Sequence, residues 1–185
     1  MTNRSNYYTK KEVEYHNAQD DCWVSVLGKV YDLTPLLSEH YMSPLIDPLV
    51  KYSGEDISHW FDPKTGDVKT RIDPVTNQVG YFTPLGRFVH VPCPPYQQPF
   101  ENEIPCEPGS LPWWKDDKYI IGKLSAKTRT IRIINTLTHH DHLLEVCQEE
   151  TLNEILARYL DHNAHAASYT WKRMGRVLDM DKTLE

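Results

Sequence analysis

The 185-residue chain reads as an α+β protein of two small domains, residues 7–125 and 128–185, the first carrying a long insertion over 62–118. Three observations predict this. A helix cap and a β-rich hairpin follow one another closely within the first 40 residues. A stretch dense in proline and aromatic side chains then breaks regular periodicity, and beyond it a second alternating hairpin leads into an amphipathic helix with its own capping box. Apolar residues make up 39% and charged residues 25%, with 5 Trp and 11 Tyr, which is enough to build a core.

Thr9 caps a helix that starts at Lys10, and Glu12 completes a Thr-x-x-Glu box whose carboxylate returns to the cap amide. Residues 22–26 and 29–33 are β-rich runs around Leu27-Gly28, a tight hairpin turn. Thr34 before Pro35 repeats the start signal, as cap and first-turn proline of a helix that ends at His40. In the insertion, Pro92-Cys93-Pro94-Pro95 and the prolines of 105–112 exclude regular helix. Its aromatic residues Tyr81, Phe82, Phe88, Tyr96, Phe100, Trp113 and Trp114 are too many for a solvated linker and predict packing along a surface. Asp62-Pro-Lys-Thr-Gly66 and Asp73-Pro-Val-Thr-Asn77 are matching turn signals around a hairpin, and Thr83-Pro84-Leu85-Gly86 is a third turn. Residues 119–124 are strand-like and close the first domain near Ser125.

From Arg129 the alternation Thr-Ile-Arg-Ile-Ile-Asn predicts a strand, with a turn at His139-His140-Asp141 and a return strand over 142–146. Thr151-Leu-Asn-Glu154 is a capping box, and Leu152, Ile155, Leu156, Tyr159 and Leu160 recur at the spacing of an amphipathic helix. A strand over 168–172 follows. Hairpin, helix and strand in this order make a β-grasp. Residues 174–184 resemble the Gly-Lys-x-Leu-x-x-x-x-Thr-Leu stretch of ubiquitin, which implies a ubiquitin-like domain that stops where the last strand of the grasp is expected. Either the chain continues, or a partner supplies that edge by strand addition.

The opening run, from Tyr-Tyr-Thr-Lys-Lys-Glu at 7–12 through Cys-Trp-Val-Ser-Val-Leu-Gly-Lys-Val-Tyr-Asp-Leu-Thr to Ser-Glu-His40, resembles the start of a cytochrome b5 domain. That resemblance implies two histidines clamping the iron of haem b, since neutral imidazole suits both of its oxidation states. His40 corresponds to the first ligand, although the family's His-Pro-Gly-Gly turn is His40-Tyr41-Met42-Ser43 here. A helix-end histidine serving the dipole is the alternative reading of His40. Gly-Glu-Asp-Ile-Ser-His-Trp-Phe at 54–61 resembles the family's Gly-Asp-x-x-x-x-Phe segment, making Phe61 a haem-pocket aromatic and Asp56 a helix cap. The loop that follows, residues 62–67, lacks the family's second histidine. His59, on the aligned helix, stands as the second axial candidate or as a side chain packed with Trp60 beneath the insertion. His90 is a third candidate, or a structural strand histidine.

Composition excludes other classes. A net charge of −6 and the lack of a basic stripe argue against nonspecific nucleic-acid binding. With neither a signal-peptide pattern nor a membrane-length apolar run, the chain is expected to be soluble and cytoplasmic, with no membrane partner. Cys22, Cys93, Cys106 and Cys147 form no CxxC pair and read as free thiols. His139, His140, Asp141, His142 and Cys147 offer metal-ligand chemistry, but neighbouring turn and strand residues point apart, and a plain hairpin is the stronger reading. Glu149-Glu150 and Asp179 with Asp181 read as solvated faces. No nucleophile elbow, phosphate loop or His-Glu-x-x-His helix is present, so no catalytic residue is assigned.

The runs Gly-Arg-Phe-Val-His-Val-Pro and Leu-Ser-Ala-Lys-Thr-Arg-x-Ile-Arg-Ile-Ile-Asn extend the resemblance to a two-domain cytochrome b5-domain family over essentially the whole chain. What this implies is a non-enzymatic structural component of the motile-cilium axoneme, in the cytoskeleton. Its partners would be axonemal and radial-spoke proteins, and its haem would sense redox state. The alternative reading is a soluble haem electron-transfer protein; a third is a binder of small apolar ligands in a vacated haem cleft.

Overall fold

The computed structural model describes residues 6–72, 77–94, 97–101, 103–104 and 109–184, arranged as mixed α and β structure in two compact units. The larger is Lys11–Gly122; the smaller combines Met1–Lys10 with Lys123–Glu185. The turn at 73–77 falls largely outside the described residues, as do Tyr96 and Cys106.

In chain order the first elements are β1 (Tyr7–Tyr8), α1 (Lys10–Tyr15), β2 (Asn17–Ala18), β3 (Asp21–Val26), β4 (Lys29–Asp32), α2 (Thr34–Glu39) and α3 (Asp47–Lys51). The insertion supplies β5 (Thr70–Ile72) and β6 (Val79–Tyr81), and β7 (Ile120–Leu124) follows it. The sheet of the larger unit runs β7, β4, β3, β2. Its central hairpin closes as expected, with Val26 opposite Lys29 and both turn residues at positive φ, Leu27 at 49° and Gly28 at 79°. That is the primed turn whose twist matches the strands.

Helix α2 starts one position earlier than the cap signal predicts. Thr34 is its first residue, and the Thr34 amide donates to the Asp32 carboxylate at 2.9 Å, while the Thr34 hydroxyl accepts from the Cys22 amide at 3.0 Å. The threonine ties helix to sheet rather than capping it. The segment aligned with a helix at 54–61 forms only a 3-10 turn, Ser58–Trp60, where Asp56 accepts from the Ser58 amide at 2.9 Å.

The insertion also departs from expectation. Its hairpin forms, with Thr70 opposite Tyr81. Phe88, Trp113 and Trp114 do not lie along a surface, however; they enter the core and pack with Trp60, Phe61, Leu36, Leu37, Leu45 and Leu49. Edge-on and tilted ring pairs join Phe61 to Trp113 at 6.0 Å, Trp60 to Phe88 at 5.3 Å and Trp113 to Trp114 at 5.5 Å. One hydrogen bond from outside the insertion and two contacts within it fix it there. The Trp114 indole donates to Asp67 at 2.9 Å, the Tyr31 hydroxyl donates to the Trp114 carbonyl at 3.1 Å, and Arg87 donates two bonds of 2.5 Å to Glu103.

The smaller unit contains β8 (Thr128–Ile134), β9 (Asp141–Cys147), α4 (Leu152–Tyr159), β10 (Lys172–Arg173) and β11 (Arg176–Val177). Tyr7 and Tyr8 of β1 pair in parallel with Lys123 and Leu124. The capping box of α4 forms in both directions, and Leu152, Ile155 and Tyr159 are buried. Two expectations fail here. Residues 168–172 are not a strand, because a 3-10 turn at Ala166–Ser168 precedes a two-residue β10 paired only with β11. Glu150 is not solvated: it is fully buried, with its carboxylate 2.5 Å from Arg158 Nε and accepting from the Cys147 amide at 2.8 Å. Glu149 accepts from the Ser125 hydroxyl at 2.7 Å, whereas Asp179 and Asp181 are exposed as expected.

Two predictions follow from these buried pairs. Replacing Arg158 with Met strands the Glu150 carboxylate and should destabilise the fold by about 3–5 kcal/mol in urea denaturation. For Glu103, hydrogen bonding from Arg87 holds the carboxyl below its usual value, against the opposing effect of burial. A depressed carboxyl stabilises above its unfolded pKa and loses that contribution as pH falls through the folded value. Glu103→Gln should therefore lower Tm at neutral pH, and its gap from wild type should close in acid below the ordinary carboxyl range.

Candidate functional site

The site forms where the end of α2 meets the insertion. Two turns of helix place His40 at the C-terminal cap, its amide donating to the Leu36 carbonyl at 3.1 Å. Beyond it, Tyr41 and Met42 are exposed, and the Ser43 amide donates to the His40 carbonyl at 2.8 Å, so the turn closes without the family's Pro-Gly-Gly. His40 is only 6% exposed, and its Nδ1 has no hydrogen-bond partner. Burial pulls the His40 pKa below the usual imidazole value, with Glu39 opposing, which favours the neutral ring.

The ring facing His40 is His90. Their centroids are 5.9 Å apart and their planes nearly perpendicular, at 85°. His90 lies between the buried residues Val89 and Val91 and adopts φ of 70°, a left-handed conformation that a non-glycine residue rarely takes. Its Nδ1 accepts the Trp113 amide at 2.9 Å. Burial and the neighbouring His40 both lower its pKa.

His59 is placed differently. It sits exposed in the 3-10 turn with its ring near Tyr52 at 6.0 Å and Trp60 at 5.9 Å, and its carbonyl accepts from Lys69 Nζ at 2.9 Å. Phe61 is fully buried in the aromatic cluster, against Trp113 and Trp114. The sequence signal that picks out His90 is its place in Arg-Phe-Val-His-Val, an apolar run inside an otherwise irregular stretch; the positive φ leaves no mark in the sequence.

Among the described residues of this unit four side-chain polar atoms are buried without a partner: His40 Nδ1, Trp60 Nε1, Trp113 Nε1 and, in the Glu103-paired guanidinium, Arg87 Nε. Buried polar groups are ordinarily satisfied, at a cost of about 1–3 kcal/mol each when they are not, so the unpartnered His40 Nδ1 and the indole N–H groups of Trp60 and Trp113 are the groups here that a ligand could satisfy.

A family model described as "Cytochrome b5-like Heme/Steroid binding domain" matches residues 9–72. A Xenopus laevis protein named cytochrome b5 domain-containing protein 1 is 57% identical over 183 residues, covering 98% of this chain and 82% of its own. The human protein of that name is 52% identical over 183 residues, covering 97% and 76%. The chain belongs to the cytochrome b5 domain-containing protein 1 family. Among solved structures, Ectothiorhodospira vacuolata cytochrome b558 is 27% identical over 38% of this chain and 82% of its own, with a TM-score of 0.28.

Haem is the cofactor this family's b5 domain supports, and the donor set fits it. His40 offers a neutral, buried imidazole, and the aromatic cluster around Phe61 offers an apolar wall. Bound haem supplies a one-electron iron couple tuned by its axial ligands and by burial. His40, positioned by α2, would hold the iron, and Phe61 would line the apolar side of the site.

No cluster of three or more His, Cys, Asp or Glu side chains is arranged to hold a metal among the described residues, including the 139–142 turn. His142 instead packs against the His162 ring, with centroids 3.9 Å apart and planes tilted by 32°. No helix among the described residues is long and apolar enough to cross a membrane.

Because Phe88 joins Trp60, Trp113 and Trp114 in one cluster, Phe88→Ala should cost about 3–5 kcal/mol in chemical denaturation. It should also broaden the near-ultraviolet circular dichroism of the tryptophans.

Proposed function

We propose that this chain is a non-enzymatic, haem-binding structural component of the motile-cilium axoneme, associated with radial spokes, in which the haem iron senses redox state. One observation carries the choice of sensor over soluble electron carrier. His40 is 6% exposed beneath an aromatic insertion, where a diffusing carrier needs its haem close to solvent and partner.

The cysteines support iron rather than thiol as the redox group. Cys22 and Cys147 are buried, and burial, outweighing a hydrogen bond with Ser53, pushes the Cys22 thiol up to about 11, so it carries almost no reactive thiolate. Cys93 donates to the Gln97 carbonyl at 3.3 Å.

The smaller unit is read as a ubiquitin-like β-grasp that serves as a binding module. Its order of hairpin, capped helix and short paired strands supports that reading, as does the packing of Leu178, Met180 and Leu184 against Val146 and Ile155. The larger unit supplies the haem and the smaller one the attachment.

Fractionation of motile cilia from cells expressing the tagged chain tests the location: it should remain with detergent-extracted axonemes and leave with radial-spoke proteins at high salt. Recovery entirely in the detergent-soluble fraction would sink the proposal. Haemin titrated into the purified chain should shift the Soret band.

A further inference from the structure

The insertion contributes a histidine to the site that the first 72 residues leave incomplete. We propose that His90 is the second axial histidine, opposite His40, and that haem loading breaks the His90–Trp113 hydrogen bond and so loosens the insertion. This rests on the haem reading above and goes beyond it in naming the ligand and the coupled segment.

The geometry carries the first part. Bonds of about 2 Å from each ring nitrogen to a shared metal set two opposed imidazole centroids roughly 6 Å apart, and His40 and His90 stand at 5.9 Å. Two imidazoles cannot complete a tetrahedral or octahedral shell alone, and no group of three or more His, Cys, Asp or Glu able to hold a metal occurs among the described residues. A metal that arrives with its equatorial ligands already in a macrocycle meets that limit. His90 is also held in a costly backbone conformation by buried flanks, with the Val89 amide bonded to the Leu45 carbonyl at 3.3 Å. Backbone strain of this kind persists only where surroundings over-determine it.

Proton accounting carries the second part. In the present arrangement Nδ1 of His90 accepts the Trp113 amide, so the neutral ring holds its proton on Nε2. A neutral histidine that binds metal through Nε2 carries its proton on Nδ1 and donates it. Ligation therefore releases the Nε2 proton to solvent and takes one up at Nδ1, with no net change. If Nδ1 binds the metal instead, its lone pair is likewise lost to Trp113. In either case the Trp113 amide loses its acceptor. Phe88 and Trp113, both fully buried near the pair, must also give way to the macrocycle. Loading and release of haem thus act on the segment that Tyr31 and Asp67 tether through Trp114.

The test uses the whole chain with haemin. The wild type should give a six-coordinate, low-spin absorption spectrum. His40→Ala and His90→Gly should lose it, His59→Ala should retain it, and added imidazole should restore it to His90→Gly. Glycine tolerates the positive φ, and His90→Asn, which tolerates it too and keeps an acceptor for Trp113, gives a folded control whose Tm should match wild type while its low-spin bands are lost. Hydrogen exchange at the Trp113 amide should speed up on haemin addition to wild type and not to His90→Asn. Loss of the low-spin spectrum in His59→Ala with retention in both His90 variants would overturn the ligand assignment and leave the haem reading standing. No Soret shift for wild type, oxidised or reduced, would overturn both. Unchanged or slower Trp113 exchange with a low-spin wild type would overturn the coupling.

Discussion

The fold of the larger unit depends on the insertion completing its core. The short helices α2 and α3 and the hairpin of β3 and β4 leave an apolar face that includes Leu36, Leu37 and Leu49 and is extended by Leu45 and Phe61, and Phe88, Trp113 and Trp114 cover it. Each buried aromatic side chain contributes on the order of 2–3 kcal/mol through area removed from water, and their edge-on contacts add directional preference. With helices this short, cohesion comes from that cluster rather than from helix propensity.

The same packing shapes the chemistry. A b5-type wall brings His40 to a helix end, and the insertion, by filling the space opposite, brings His90 to face it. Burial disfavours the charged form of both rings. Neutral imidazoles in apolar surroundings can donate to a metal, and the orphaned indole N–H groups of Trp60 and Trp113 keep the adjoining core from being purely apolar.

Buried charge marks the places where the two units are fastened internally. Arg87 and Glu103 close the loop that carries His90, and Glu150 with Arg158 ties the turn after β9 to helix α4 and to the Tyr7 carbonyl. Such pairs gain little over a well-packed apolar contact but are costly to break singly. They lock the geometry of irregular segments that have few backbone bonds of their own.

By itself the sequence determined the α+β class, the primed hairpin at Leu27-Gly28, the capped helix after Thr151, His40 at a helix end and the family to which the chain is related. These are local: each is decided by residues within a few positions, through turn sterics, caps and periodicity. Tertiary structure alone decided that the aromatic insertion enters the core, that Glu150 is buried, that residues 168–172 fail as a strand, and that His90 rather than His59 faces His40. Those outcomes depend on contacts between residues as far apart as Tyr31 and Trp114, and those of the insertion run through a proline-rich segment without periodicity. Their energy lies in shared burial and in one left-handed backbone turn, and neither is encoded in any local pattern.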